Sequence, residues 1–255
     1  MMCPMGINIS KAIGISRAAL NAAGYAPAEL RAVEEEQSKR GTLFGIGAKE
    51  LEAAVAELRS RGLTVPLDKP KAEVMVLTTA MDLVLFKDAF AATARILNKL
   101  GVDWTLQRTA FEATNFGMMS GDRARQALES KSIVTAATAC GAKIVITPEC
   151  GHAYPALRWE AANALGQPLP FEVMAISEFI GREILAGRLK VKPIGKQKKV
   201  TYHDPCKIGR HGGVFDEPRA ELAALGVDLK EMESHGKTQY CCGGGGGVFL
   251  IDASE

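Results

Sequence analysis

The sequence lacks any long hydrophobic run. None of its apolar stretches approaches the roughly 18 to 20 consecutive residues that a membrane-spanning helix requires. The chain also lacks the basic segment followed by an apolar one that marks a secretory signal peptide. We therefore expect no direct membrane insertion and a cytoplasmic location.

Net charge is nearly absent as well. The 31 basic and 29 acidic residues leave a formal charge of +2, so no global field draws nucleic acid or an anionic membrane to this protein. With 47% hydrophobic and 24% charged residues, the composition excludes disordered, collagen-like and coiled-coil classes. We expect no nucleic-acid partner, and function must come from local sites.

Six cysteines are the first candidates for such a site. Cytoplasmic thiols are kept reduced, so this number favours metal or redox chemistry over structural disulfides. Isolated cysteines are commonly small buried hydrophobic residues, and we expect this of Cys140 in the apolar run Ala136 to Ala142.

The spacing of apolar residues predicts an α/β fold behind a helical N-terminal region. Helical periodicity from Ser10 to Ser60 predicts two or three amphipathic helices, interrupted at Gly41 to Gly47. A first α/β unit starts near Lys71. Its predicted strands and helices alternate, which indicates a parallel sheet: Val74 to Thr78, Asp88 to Leu100, Val102 to Leu106, Arg123 to Ser130 and Lys143 to Thr147.

The same order returns after the basic linker Lys190 to Lys199. Strands are predicted at Val200 to His203 and Val227 to Met232, with a helix at Pro218 to Leu225 between them. We interpret this as an internal duplication, giving two tandem α/β units with parallel sheets. The expected divisions are residues 1–70, 71–190 and 191–255, and the last unit looks incomplete.

Three cysteines in the second unit carry the strongest chemical signal. Cys206 and the pair Cys241-Cys242 are separated by the 34 residues from Lys207 to Tyr240. Both loops follow predicted parallel strands, so the three thiols should converge at the carboxyl edge of one sheet. Adjacent thiolates can contact different irons of one polynuclear cluster, so the pair favours a cluster over a disulfide.

Five glycines follow the cysteine pair, from Gly243 to Gly247. They allow backbone N–H groups to approach sulfur, and a helix beginning near Val248 would place its positive end there. Two alternatives remain. Such a loop also binds phosphate in P-loops, although the lysine and hydroxyl residue of that motif are missing. Zinc could take three thiolates and either His203 or His211.

These motifs resemble a known family. The second unit is similar to the cysteine-rich CCG domain of the heterodisulfide reductase family in four motifs: Tyr202-His203-Asp204-Pro205-Cys206, Gly209-Arg210, Glu217-Pro218-Arg219 and Cys241-Cys242-Gly243-Gly244-Gly245. The resemblance extends from about Lys71 to the C-terminus. It implies a 4Fe-4S cluster, of noncubane type in family members, with Cys206, Cys241 and Cys242 as catalytic residues and metal ligands. His203, Gly243, Gly244 and Cys150 are the further expected cofactor-binding residues.

The first unit departs from the family pattern. Thr79-Ala80-Met81 and Asn115-Phe116-Gly117 stand where family members have cysteines, and of the Cys-x-x-Cys only Cys150 remains. We expect a degenerate scaffold whose Cys150 and His152 face the cluster of the second unit. This pattern is closest to the D-type subunit or to the K-type subunit linked to sulfite reductase.

The family's final Cys-x-x-Cys would lie beyond Glu255, so either the chain is a fragment of a longer protein or its site is incomplete. Cys3-Pro4 resembles the end of a ferredoxin motif, and the alternative is a terminal cysteine with no ligand role. The resemblance implies an oxidoreductase subunit that passes electrons to or from a disulfide or sulfur substrate. Its partners would be other subunits of a redox complex, including a membrane quinone-reactive subunit that would hold the chain at the inner membrane. The alternatives are a pure electron relay between a dehydrogenase and a quinone-linked partner, and an apo scaffold.

Overall fold

A computed structural model describes residues 5–41, 43–194 and 198–251. The expectation for Cys3-Pro4 at the N-terminus falls outside these residues. Within them, no helix has both the length and the apolar character needed to cross a lipid bilayer.

Three helices form the N-terminal region, as the periodicity predicted. They are α1 (Ile9–Ala22), α2 (Ala28–Arg40) and α3 (Ala48–Ser60). Helix α3 buries Leu51, Val55 and Leu58, whose spacing of four and three residues places them on one face. Helix α1, in contrast, buries none of its residues.

A four-stranded parallel sheet forms the centre of the molecule. Its strands are β1 (Val74–Val76), β2 (Trp104–Thr105), β3 (Ile144–Thr147) and β4 (Glu172–Ala175), in the order β2-β1-β3-β4. The connecting helices are α4 (Ala80–Val84), α5 (Lys87–Lys99), α6 (Phe116–Ser120), α7 (Arg123–Ala139), α8 (Ala153–Pro155), α9 (Ala161–Leu165) and α10 (Ile176–Leu185), with a π-helix at Ala156–Glu160. The predicted α/β class is confirmed.

Both faces of this sheet are buried. Val74 and Val76 point into a core formed with α3 and α5, while Met75 and Leu77 point into a second core formed with α7. Side chains alternate along a strand, so a sheet covered on both faces needs apolar residues at every position. The continuous apolar runs in the sequence reflect this double burial.

Helix α7 is longer than predicted. The periodicity indicated Arg123 to Ser130, but the helix continues to Ala139. Ser130, the predicted end of the helix, is polar, but its side chain is buried. Its hydroxyl accepts a hydrogen bond from the Asn115 side chain at 3.3 Å. The helix ends where Gly141 adopts a positive φ of 69°.

The second unit contains a two-stranded parallel sheet of β5 (Lys199–Val200) and β6 (Asp228–Leu229). Both strands are shorter than predicted and β5 begins one residue earlier. A π-helix (Cys206–His211), helix α11 (Asp216–Ala224) and two 3-10 turns, Gly236–Thr238 and Val248–Leu250, complete this unit. The helix expected near Val248 is therefore a single turn, too short to supply a helix dipole.

Helices α10 and α11 join the two units. They meet at Gly181, where a Cβ atom would overlap the backbone and Cβ of Glu217. Glycine is required here for the close approach of the helices. The duplication itself remains a prediction, although Gly101 and Gly226 both end a helix with positive φ before a short parallel strand.

Candidate metal centre

The loop that carries Cys206 is fixed by a buried ion pair. Asp204 is fully buried, and its two oxygens accept from Arg219 at 2.8 and 2.9 Å. The backbone N–H of Gly236 also donates to Asp204 at 2.6 Å. Burial alone would raise the pKa of Asp204, but the Arg219 pair and this N–H outweigh it and hold that pKa below its ordinary value. Asp204 is therefore an anionic anchor two residues before Cys206.

Cys206 itself begins the π-helix and is partly buried. The N–H of Gly212 donates to the carbonyl of Lys207 at 3.1 Å, the five-residue spacing of a π-helix. Cys206, Lys207 and Arg210 all belong to this single wide turn. Helices of this kind are frequent at functional sites.

The two cysteine loops lie side by side. The ring of His203 donates its Nε2 proton to the carbonyl of Tyr240 at 3.0 Å, which joins the strand end before Cys206 to the residue before Cys241. Arg210 donates to the buried Gln239 at both its side-chain oxygen (2.5 Å) and its carbonyl. The parallel pairing of β5 and β6 thus brings both loops to one sheet edge, as the sequence predicted.

Cys241 and Cys242 are exposed on the glycine loop, and their thiols are free. The N–H of Gly243 donates to the sulfur of Cys241 at 3.4 Å, with Gly243 at a φ of 79° that favours glycine. This is the kind of N–H to sulfur contact for which the glycines were singled out.

The three thiols do not form a ready group of ligands. Within the described ranges, no three His, Cys, Asp or Glu side chains are placed to hold a metal ion together. The donor types nevertheless suit iron, since three cysteines lie on two adjoining loops and one sulfur already accepts from a backbone N–H. Their assignment as ligands, and that of His203, Gly243 and Gly244, remains a prediction.

The first unit reaches the glycine loop through His152. The N–H of Gly246 donates to its Nε2 at 3.2 Å, so this nitrogen carries no proton. Burial, together with the charges of Lys207 and Arg17, lowers the pKa of His152 to about 4. His152 is thus a neutral acceptor between the two units.

Cys150 lies two residues before His152, at the end of β3, and is partly buried. Burial raises the pKa of its thiol, against the opposing effect of N–H groups from Ala153 and His152. It packs against the core that α7 covers. Whether Cys150 faces a cofactor, as the sequence suggested, remains a prediction.

Polar caps occupy the positions at which the first unit lacks cysteines. Thr79 caps α4 by accepting from the N–H of Asp82 at 3.1 Å, and Asn115 caps α6 by accepting from Met118 at 2.9 Å. Between them, Glu112 accepts from the N–H of Ala80 at 2.7 Å. Burial raises the pKa of Glu112 to about 7. This end of the first sheet is closed by hydrogen bonds within the protein.

Two residues of this region were not foreseen. Arg17 of α1 and Lys207 of the π-helix both act electrostatically on His152. Lys207 directly follows Cys206, a predicted ligand, so its position near the site could have been predicted. Nothing in the sequence relates Arg17 to so distant a part of the chain. Cys140 is buried, as predicted, and its thiol donates to the carbonyl of Ala137.

Comparison with known proteins identifies the domain that contains these loops. The CCG cysteine-rich domain family matches residues 200–251, a range that includes all three cysteines of the two loops. No solved structure gives a significant match.

Several curated proteins are similar to larger parts of the chain. The D subunit of the dihydromethanophenazine:CoB–CoM heterodisulfide reductase of Methanosarcina barkeri is 38% identical over 167 residues, covering 62% of this chain and 39% of that protein. The EtfAB:quinone oxidoreductase of Syntrophomonas wolfei is 30% identical over 264 residues, covering 98% and 35%. The Hdr-like menaquinol oxidoreductase iron-sulfur subunit of Archaeoglobus profundus is 24% identical over 303 residues, covering 100% and 54%.

The chain spans about two fifths of the length of its heterodisulfide reductase relatives. The relatives are oxidoreductases or their subunits by name, and the matched domain contains the motifs from which the resemblance was inferred. Residues 200–251 therefore form a cysteine-rich CCG domain, and the chain is similar to heterodisulfide reductase-like proteins.

Proposed function

We propose that this protein is an iron-sulfur electron-transfer subunit of a redox complex, in which Cys206, Cys241 and Cys242 hold a 4Fe-4S cluster. The observation that carries the proposal is the pairing of the two cysteine loops through the 3.0 Å bond between His203 and the Tyr240 carbonyl. The match of residues 200–251 to the CCG domain supports the same three ligands.

Each part of the site has a role in this proposal. The three thiolates bind iron, while Gly243 and Gly244 allow backbone N–H groups to reach sulfur, as Gly243 already does at Cys241. His203 and the Asp204–Arg219 pair hold the two loops in place. A bound cluster would supply one-electron chemistry, which the protein positions and tunes.

The proposed reactant is a disulfide or another sulfur compound. The exposure of Cys241 and Cys242 supports this, because a reactant can reach them from solvent. The D-type relatives are named for a heterodisulfide reductase. These relatives agree with the expected similarity to the D-type subunit, while similarity to the K-type subunit remains a prediction.

A pure electron relay is the second candidate. The relatives that cover nearly the whole chain are named as a quinone and a menaquinol oxidoreductase, which favours a partner linked to quinone. In this case electrons would pass through the chain between a dehydrogenase and a quinone-reactive subunit, and any membrane association would occur through that partner.

Anaerobic reconstitution with iron and sulfide tests the iron-sulfur proposal. We expect the wild type to bind about four irons and four sulfides per chain, and the variants C206A, C241A and C242A to lose most of this iron. C140A is the matched control, because Cys140 is buried at the end of α7. Equal iron in C206A and wild type, or no uptake by either, would refute the ligand assignment.

Reoxidation of the reduced protein separates the two candidate functions. A disulfide reductase should be reoxidised by a small disulfide, and the three cysteine variants should lose that reaction. A relay should be reoxidised by a soluble quinone analogue and not by the disulfide. Absorbance of the reconstituted protein under anaerobic mixing measures both rates.

A further inference from the structure

Two cations near the cysteine loops, Arg17 and Lys207, have no ion-pair partner among the described residues. Arg17 of α1 is partly buried, and within residues 5–41, 43–194 and 198–251 it forms neither a hydrogen bond nor an ion pair. Lys207 is also partly buried. Its ammonium donates to the Ser10 hydroxyl at 2.9 Å and makes no ion pair in the same ranges. A buried charge normally has a counter-charge, so this arrangement needs an explanation.

The two cations face one place. The guanidinium of Arg17 lies 3.6 Å from the position that a Cβ atom on Gly246 would occupy, and the same Gly246 N–H binds His152. Lys207 lies beside Gly151, next to His152, and follows Cys206 directly. Helix α1, the π-helix and the glycine loop therefore converge around His152, and Lys207 joins this place to Cys206 through the chain.

The electrostatics of this place are positive. Arg17 and Lys207 both act on His152, whose burial already favours its neutral form. Glu160 is an acidic residue that acts on Lys207, but its carboxylate also lies 3.8 Å from Arg123. Two like charges in a partly desolvated site repel each other, and an anion between them removes that cost.

We propose that Arg17 and Lys207 form an anion-binding subsite beside Cys206, which takes the carboxylate, sulfonate or phosphate group of a molecule that reacts at the cysteine loops. The planar guanidinium suits an oxyanion with two acceptor oxygens, and the ammonium adds a point charge. The assignment of that molecule as a redox reactant rests on the proposed function, while the subsite itself belongs to the protein without iron.

Two alkylating reagents of different charge test the subsite in the reduced, iron-free protein. Iodoacetate carries a carboxylate, and iodoacetamide is its neutral counterpart. In both reactions a cysteine thiolate forms a bond to carbon and iodide leaves. The ratio of the two rates at one cysteine therefore cancels the thiolate fraction and reports attraction of the anion, with mass spectrometry resolving Cys206, Cys241 and Cys242.

We expect R17Q and K207Q each to lower the iodoacetate-to-iodoacetamide ratio at Cys206 about three- to tenfold, the effect of one charge removed at several ångströms in a partly solvated site. Added salt should lower the wild-type ratio as well. K11Q is the matched control, because Lys11 is an exposed cation on the same helix α1, and its ratio should stay at the wild-type value.

Unchanged ratios in both R17Q and K207Q, in variants that unfold at the wild-type temperature, would overturn the subsite. If one variant does not fold, the other still decides the question. Iron uptake is measured separately. A failure to bind iron with altered ratios would reject the proposed function alone, and normal iron binding with unaltered ratios would reject the subsite alone.

Discussion

At the scale of single residues, the cysteine site depends on charges that hold its loops. Asp204 accepts three hydrogen bonds, two from Arg219 and one from Gly236, and no side chain in this loop is more completely buried. Arg219 also pairs with Glu231, which is more exposed. The two carboxylates on one guanidinium therefore differ in burial and make a natural comparison.

We expect D204N to destabilise the protein by about 3 kcal/mol, because it removes the fully buried one of the two carboxylates that pair with Arg219 and leaves only the more exposed Glu231. E231Q removes the other carboxylate that pairs with Arg219, at a more solvent-exposed position. It should lower the free energy of unfolding by less than about 1 kcal/mol. Urea unfolding monitored by circular dichroism measures both. Similar losses in the two variants would show that burial of Asp204 does not set the strength of the pair.

The candidate ligands were accessible to sequence reasoning because their motifs are local. Cys206 follows His203-Asp204-Pro205, and Cys241-Cys242 precedes five glycines, so each motif is visible within a few residues. His152 was expected from the resemblance to face the second unit, and it does contact the glycine loop there. The contact of Arg17 with this region arises from packing between distant elements, which no periodicity or spacing encodes.

At the scale of elements, prediction succeeded for most of the buried strands but missed β4 (Glu172–Ala175), although three of its four residues are buried. Val74–Val76 and Ile144–Thr147 were recognised because both faces of the central sheet require apolar residues. The strands of the second unit were placed less well. β5 is a two-residue strand whose residues are exposed or partly buried, so its apolar pattern is weak and its limits were misplaced.

Two glycines inside helices predict opposite effects of the same substitution. We expect G14A in α1 to stabilise the protein by up to about 1 kcal/mol, because a methyl group there meets no atom within 4 Å and alanine favours the helix. G181A in α10 should instead destabilise by about 2 kcal/mol or more, because its Cβ would overlap Glu217 of α11.

Thermal unfolding of the two alanine variants beside the wild type provides the test. A stabilising G181A would mean that α10 and α11 separate without cost, and the contact between the two units would then need another explanation. G14A acts as the control for helix propensity, since both glycines lie within helices and have ordinary negative φ values.

At the scale of the whole molecule, the N-terminal helices are part of the folded body. Gln37 of α2 donates to the carbonyl of Thr114 at 2.9 Å, and Asn21 donates to the carbonyl of Ser120 at 3.1 Å. Glu34 of α2 is buried against the same helix α6. The division at residue 70 remains a prediction, and these contacts show that any such boundary is crossed by packing.

A pair of acidic side chains at this junction makes the stability of the protein depend on pH. Burial, together with the charge of Glu34, raises the pKa of Glu129 to about 8. The folded state therefore holds a proton that the unfolded state releases near its ordinary pKa of 4.5. Stability from this group is complete below that value and is lost as the pH rises to about 8.

We expect E129Q to become more stable relative to the wild type as the pH rises from about 5.5 to about 8.5, by about 2 kcal/mol over this range. The amide cannot ionise, so it does not incur the cost of charging a buried group. Urea unfolding at both pH values measures the difference, with E233Q at an exposed glutamate as the control. A gap that shrinks with pH would contradict the assignment of a raised pKa.

The π-helix at Cys206–His211 has a consequence for how this protein is aligned with others. It holds one residue more per turn than an α-helix would, so deleting a single residue would turn every side chain that follows by about 100°. Arg210 would then lose its hydrogen bonds to Gln239, and the two cysteine loops would no longer be held together there. A one-residue gap at this point in a homologue is thus expected to mark a changed centre rather than a neutral shortening.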